Sequence, residues 1–457
     1  MAAKKILLVL DSDRFAFPLL NFLSENAKRY DWKIKLGSLF DPQVCDRIRT
    51  ETFAGDLEYI NFSKMQECEQ AIRKSDLIIA LVQDTVLLQI ADSCINHRKC
   101  LISPSRLNRQ MALKKTLAKE NNALILMDCG FSPGLDHIIA KKAIDNIHAK
   151  GGKVSSFKTY SGTFLAGSSE PNPWNFKLTE PAADLLGWGR HNNRHVVNGR
   201  MQHIPYNRLF ERSTHLTIDG LENTMMIPEG DSLYYRKIYN LGHTHTVVKG
   251  RLVRKGFDTM WNLLMKLGLT DSLAKIDFVG EASFYNLMDS LLPYSETGTL
   301  EERLKEYTGA GDREIEKLEW LGLFDPTPWN DVSREITPAY ILQQLLEKKF
   351  ATHADDQDLV VMEHHLSYEV RDDNFEMTAT LILNGEGETN SALAKVTGYT
   401  CGAAAKSVLL GSIKLKGIHI PVVREIYDPI LNELEELGIA FQIKDKKFQA
   451  AEINSEV

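Results

Sequence analysis

Short apolar runs alternate with amphipathic stretches over the first 127 residues. KILLVL (5–10), WKIKLGSLF (32–40), LEYINF (57–62), DLIIALV (76–82), KCLISP (99–104) and ALILMD (123–128) have the length and content of buried strands. Helical spacing between them predicts helices from Phe17 to about Lys28, Pro42 to Thr52, Ser63 to Arg73, Val86 to Asn96 and Arg109 to Asn121. Strands and helices that alternate at this length build a parallel, doubly wound α/β sheet. Ligands of such sheets sit outside the carboxyl ends of the strands.

From Lys153 the pattern changes to β-rich segments with glycine and aromatic residues, VSSFKTYSG, HLTIDG and HTVVKGRLVR, which predict a mainly antiparallel second sheet. Residues from about Phe257 to Phe350 are helical in pattern: MWNLLMKLGL, FYNLMDSLL, LEERLKEYTG, IEKLEWLGLF and PAYILQQLLEKKF. Strands return at DLVVMEHHLSYEV and FEMTATLILNG, with Asp372-Asp373-Asn374 as the expected hairpin turn. Helices are expected at Ala403–Leu410 and Val422–Leu437.

A length of 457 residues predicts two to three domains, and 43% hydrophobic with 25% charged residues is ordinary globular material. The net charge of -7 and a pI near 6.0 argue against nucleic acid and favour a small-molecule or protein partner. No apolar run suits a signal core or a membrane span, because Leu77–Ala91 is interrupted by Gln83 and Asp84. A cytoplasmic chain without membrane contact is expected. The six cysteines, Cys45, Cys68, Cys94, Cys100, Cys129 and Cys401, form no Cys-x-x-Cys pair and fit reduced thiols.

The turn after the first strand is Asp11-Ser12-Asp13-Arg14, where a dinucleotide fold carries glycines that bring backbone N–H groups to phosphate. A carboxylate about 4–5 Å from a phosphate, at an effective dielectric near 20, opposes it by about 3–4 kcal/mol. Asp11 and Asp13 could form a metal pair or a solvated loop capped at Ser12 or Asp13; with no further carboxylates evident, the loop is favoured and no metal is expected. His243 and His245 carry the same two readings. Lys249, Arg251, Arg254 and Lys255 read as a solvated basic face or in part as lining of the cleft, with the solvated face favoured; Trp174 with Phe176 reads as packing at a domain junction, and Cys129 as a reactive or, by preference, a buried inert thiol.

Several stretches together resemble the saccharopine dehydrogenase family, in its glutamate-forming branch. They are Gly130-Phe131-Ser132-Pro133-Gly134-Leu135-Asp136-His137, Asn172-Pro173-Trp174-Asn175-Phe176-Lys177, Ile204-Pro205-Tyr206 with Arg208-Leu209-Phe210, and Asp231-Ser232-Leu233 running to Gly250 and Gly256-Phe257. Glu319-Trp320-Leu321-Gly322, the run Leu359 to His364 and the run Gly417 to Ile439 extend the match over nearly the whole chain. The resemblance implies a Rossmann-like domain over 1–128, to which helices of about 400–457 return. It further implies a mixed α/β substrate and dimerisation domain over 129–256 and 351–399, with a largely antiparallel sheet, and a small all-α domain over 257–350. NAD(P) as cofactor, a homodimer, and hydride transfer at the carbon–nitrogen bond joining aminoadipate semialdehyde to glutamate follow from the same resemblance.

Positions that match the family's contacts mostly carry other residues. Cofactor positions fall on Asp11, Ser12, Asp13, Arg14, Ser38, Gln83, Pro133 and Gly134, with Gln83-Asp84 replacing a Pro-Ala pair. Substrate positions fall on Ser105, Ser132, Gly230, Arg251, Leu252 and Val253. Pro104-Ser105 stands for a Ser-Tyr pair, Ser132 for an aspartate, Gly230 for the arginine of N-R-D-S, and Arg251 and Val253 for the threonine and second arginine of R-G-T-L-R. Glycine and valine cannot supply the two-pronged contact an arginine makes with a carboxylate. Asp136 and His137 are the surviving catalytic candidates, with Asp136 either orienting His137 or capping the helix beside it. Losses gathered on contact positions, with packing motifs kept, point to a retained scaffold and two open readings: an enzyme with altered ligands, or a degenerate paralogue that binds or regulates.

Overall fold

The computed structural model describes residues 4–10, 16–38, 58–62, 64–166, 172–190, 192–276, 282–329, 336–353, 356–387 and 389–448. The Asp11–Arg14 turn, Cys45 and the helix expected at Pro42–Thr52 lie outside them. Contacts divide the chain into a first unit of Met1–Ser156, Ile238–His243 and Gln357–Val457, and a second of Phe157–Lys237 and Thr244–Asp356. The described strands are β1 (Lys5–Leu10), β2 (Trp32–Ser38), β3 (Glu58–Asn61), β4 (Leu77–Ala80), β5 (Cys100–Ile102), β6 (Leu124–Leu126), β7 (Lys153–Leu165), β8 (Asn193–Val197), β9 (Arg200–Ile204), β10 (Thr214–Ile218), β11 (Leu221–Pro228), β12 (Thr246–Arg254), β13 (Asp358–Val370), β14 (Asp373–Asn384), β15 (Gly417–His419) and β16 (Gln442–Phe448).

In the first unit seven parallel strands lie in the order β15-β6-β5-β4-β1-β2-β3. The chain steps outward from β1 in both directions, so a crevice opens where the order reverses, beside the carboxyl ends of β1 and β4. Leu7, Leu8, Val9 and Leu10 are fully buried, which is why β1 reads as a continuous apolar run rather than an alternating one. The helices Ala16–Tyr30 and Ala392–Leu409 share this core. Their close approach depends on Gly402: a Cβ there would lie 2.5 Å from Phe22 Cδ1.

Details of the pattern shift where local geometry overrides it. The Arg109–Asn121 stretch is two helices, Arg109–Leu113 and Lys115–Glu120, with Lys114 between them. The β13–β14 hairpin turns at Arg371 and Asp372, both with positive φ (51° and 69°), while Asp373 and Asn374 already pair in the ladder. The last long helices span Ala392–Leu409 and Arg424–Glu436, and β16, a lysine-rich strand not expected from the pattern, pairs antiparallel with β14.

In the second unit β10, β11 and β12 pair antiparallel, and the β8–β9 hairpin turns at Asn198-Gly199 (φ 49° and 76°). Helices Phe257–Lys266, Phe284–Leu291, Leu300–Thr308, Asp312–Leu321 and Pro338–Lys349 bury Trp261, Phe257 and Phe350 in a second core. Trp174 belongs to the interior of this unit: it packs edge-on to Phe350 (5.4 Å) and donates its indole N–H to Lys317 O.

Candidate functional site

The signature loop leaves β6 at the carboxyl edge of the parallel sheet. Gly130 and Gly134 meet as an isolated bridge, with Gly134 at φ 146° and a cis peptide at Ser132-Pro133. A Cβ on Gly134 would stand 2.1 Å from Gly130 O, so only glycine fits. The helix Leu135–Ala149 starts at once.

Asp136, 1% exposed, ties this loop together. Its Oδ1 accepts the N–H of Gly134 (2.7 Å) and of His137 (2.9 Å), and its Oδ2 accepts the Ser132 hydroxyl (2.9 Å). The helix therefore begins two residues before His137, and Asp136 acts on backbone amides of the first turn. The His137 ring is held by other groups: Nδ1 lies 2.7 Å from the Tyr239 hydroxyl, and Nε2 lies 3.2 Å from Asp128 Oδ2. Asp128 Oδ1 accepts the Leu107 N–H at 2.6 Å. Ser103 completes the edge, donating to Ala80 O (2.9 Å) and accepting the Ser105 N–H (3.3 Å), while Ser105 O accepts the Asp128 N–H (3.0 Å). Asp128, His137 and Tyr239 are each 1% exposed, so this chain of polar contacts is sealed.

The substrate positions of the second unit lie along β12, where side chains alternate between faces. On one face Arg251 donates from Nε to Glu229 Oε2 (2.8 Å) and from Nη1 to Glu180 Oε1 (3.1 Å), and its guanidinium carbon stacks 3.9 Å from the centre of the Trp188 ring. Burial disfavours its charge, but Glu229 and Glu180 more than compensate and hold its pKa above the ordinary value. Burial pushes the Glu180 carboxyl up against the pull of Arg251. Val253, two residues on, is 5% exposed within the helical core. Leu252, on the other face, is buried under Gly162, whose Cβ would meet Leu252 O at 2.5 Å.

Lys249 donates to the Tyr235 hydroxyl (2.7 Å), and Arg254 donates to Glu222 O (2.7 Å) and lies over Phe164. Arg251 and Arg254 line a cleft of this unit and Lys249 is engaged by Tyr235, so part of the basic cluster is not a solvated face, while Lys255 is exposed. Gly230, at φ 78°, has nothing within 4 Å of a Cβ; the next residue, Asp231, forks onto Arg194 through two 2.7 Å bonds. Lys177 holds Asp356 at 2.6 and 2.7 Å with both side chains buried. Burial would raise the Asp356 carboxyl, but the His353 N–H and Lys177 outweigh it and keep its pKa low.

Around the crevice of the parallel sheet the described residues do not supply a dinucleotide's usual contacts. Ser38, 1% exposed, ends β2 where an NAD-binding fold presents an acidic side chain to the ribose. Gln83 precedes the helix Asp84–Asn96 without a side-chain cap, and Asn108 donates to Asp84 Oδ2 (3.3 Å). The first amides of Leu135–Ala149, which could face phosphate, are taken by Gly130 O, Phe131 O, Gly134 O and Asp136.

His243 and His245 are exposed on the turn before β12, not on an extended segment. No group of three metal-ligating side chains exists among the described residues. Cys68, Cys94, Cys100, Cys129 and Cys401 are buried free thiols; burial pushes Cys100 up to about 12 and Cys129 well above the ordinary value. No described helix is long and apolar enough to cross a membrane. Asp128, Tyr239, Glu180, Glu229 and Trp188 carry much of this geometry and were not legible as a set, though Asp128 directly follows a strand at the ligand edge of the sheet.

A family model for the saccharopine dehydrogenase C-terminal domain matches residues 130–439. The alpha-aminoadipic semialdehyde synthase, mitochondrial, of Mus musculus is 26% identical over 450 residues, covering 96% of this chain and 48% of that protein. This chain thus spans about half the length of that relative. The NADP(+), L-glutamate-forming saccharopine dehydrogenase of Schizosaccharomyces pombe is 25% identical over 385 residues, 82% of this chain and 85% of that one. Among solved structures, the apo saccharopine dehydrogenase (L-Glu forming) of Saccharomyces cerevisiae shares the fold at a TM-score of 0.87 and 23% identity, covering 97% of this chain and all of that one. A homospermidine synthase of Legionella pneumophila, solved in complex with NAD, aligns at a TM-score of 0.54 and 9% identity over 99% of this chain and 94% of that one.

Proposed function

The chain belongs to the saccharopine dehydrogenase family, and from that premise we propose that it keeps the family scaffold with weakened or lost cofactor and substrate contacts, serving as a ligand-binding or regulatory homodimer. The three-part division at 1–128, 129–256 with 351–399, and 257–350, and a cytoplasmic setting, belong to the same proposal. One observation carries it. Of the positions matching the family's substrate clamp, Gly230 offers only backbone, Val253 packs in a core, and Arg251 is spoken for by Glu229 and Glu180. A substrate with several carboxylates finds no uncommitted arginine among these residues.

The curated relative from Schizosaccharomyces pombe is named for NADP(+) and saccharopine, which makes those two the ligands to test. Calorimetric titration of the purified protein with NADPH, NADH and saccharopine is the experiment, and weak or absent binding of each is the expected result. Low-micromolar affinity for a nicotinamide dinucleotide together with saccharopine would overturn the proposal. Asp11→Gly with Asp13→Gly should raise dinucleotide affinity without creating saccharopine oxidation, because the substrate positions are unchanged. The second reading, a working dehydrogenase with an altered substrate, draws on the sealed Asp128–His137–Tyr239 contacts beside a signature loop that keeps Pro133, Gly134, Asp136 and His137.

A further inference from the structure

Arg251 lies in an environment that proteins use to recognise a free guanidinium: an aromatic ring against it and two carboxylates accepting from its N–H groups. Trp188 supplies the face at 3.9 Å, and Glu229 and Glu180 the acceptors at 2.8 and 3.1 Å. Arg251, Trp188 and Glu180 line a cleft of the second unit with Thr163, Phe176 and Lys177, and the volume left inside is about 20 Å³. That is room for about one water molecule and not for a second guanidinium. The other cations of the cleft are committed elsewhere, Lys177 to Asp356 and Arg254 to the Glu222 carbonyl. The receptor half of a guanidinium site is therefore complete, and the chain's own side chain fills it.

We propose that Glu180, Glu229 and Trp188 form a guanidinium-recognition pocket that Arg251 occupies as a built-in plug, and that an alkylguanidinium compound takes that place when the plug is removed or displaced. The inference rests on the reading that this face of β12 has lost its carboxylate-binding role, and it gives the cleft a cationic ligand class instead. Arg251 keeps 28% of its side chain exposed, so the plug can leave toward solvent without opening the core.

The test is Arg251→Ala titrated with methylguanidinium chloride, read by thermal melting and by tryptophan fluorescence, with methylammonium chloride and sodium chloride as matched controls. The variant should melt below wild type, and methylguanidinium should restore it saturably, with half-saturation about tenfold lower than for methylammonium, because only a planar fork reaches both carboxylates. Wild type should show no such gain. Equal effects of all three salts, or no saturable gain, overturn the proposal. If Arg251→Ala does not fold, Arg251→Lys keeps one cation and a single-pronged contact; methylguanidinium must then stabilise that variant and not wild type, and equal responses of the two overturn the idea. Saccharopine binding by wild type would instead overturn the proposed function and leave the methylguanidinium outcome standing.

Discussion

Replacing Asp136 with alanine removes one carboxylate and three partners at once. The Gly134 and His137 amides and the Ser132 hydroxyl all lose an acceptor at 2.7–2.9 Å, in a position with 1% exposure where water cannot replace it. A hydrogen bond to a charged group contributes about 1.5–3 kcal/mol, and the three share one side chain, so the loss is about 4 kcal/mol rather than their full sum. Asp136→Asn keeps an oxygen for the two amides and can turn its NH₂ toward the Ser132 oxygen; it loses mainly the charge at the helix N-terminus, about 1 kcal/mol. Ser132→Ala removes a single donor and should cost about 1 kcal/mol. Urea unfolding followed by tryptophan fluorescence and far-ultraviolet dichroism ranks the three variants, and in a thermal scan of the 457-residue chain the alanine variant should melt about 4 °C below wild type. Alanine within about 0.5 kcal/mol of wild type, a change typical of surface positions, or asparagine as damaging as alanine, would show that the carboxylate is not what ties the loop.

Asp358 offers a pH-dependent counterpart. It is 8% exposed, and burial raises its carboxyl above the ordinary 3.8 although the Ala392 and Leu393 amides, which it caps, pull the other way. A raised folded-state value means that the folded chain holds the proton longer. The associated stability is present below pH 3.8 and is lost as pH rises through the raised value, and Asp358→Asn should flatten that part of a urea-midpoint profile. An unchanged slope would place the pH dependence elsewhere. For the assembly, light scattering at micromolar concentration should give about twice the 51.7 kDa chain mass, and a clean monomer would remove the dimer from the proposed function.

The sequence pattern reveals the parallel sheet because its strands are buried on both faces, so KILLVL and DLIIALV stand out without help from distant residues. Elements that depend on a partner were harder to see. In β16, QIKDKKF is exposed along most of its length and has no apolar face to read; its place is set by the ladder to β14. The β13–β14 turn falls on Arg371 and Asp372, where two consecutive positive φ values lie, rather than on Asp372-Asp373-Asn374, which looks better by composition. The substrate cleft was the least legible. Arg251 meets Glu180 across 71 residues of sequence, and nothing in the local run RLVR distinguishes a solvated cation from one between two carboxylates and an indole.

This contrast bears on how the retained signature should be weighed. Asp136 satisfies a helix start and a bridge between two glycines, and His137 fills a sealed position between Tyr239 and Asp128. Both residues would be kept by any chain that needs this loop folded, with or without chemistry at its edge. Folding bears on Gly230 and Arg251 as well: Gly230 sits at φ 78°, which favours glycine, and a threonine-sized residue at Arg251 would leave two carboxylates to water. Loop and cleft both meet folding demands, so activity has to be tested by ligand titration at the cleft rather than read from the retained Pro133, Gly134, Asp136 and His137.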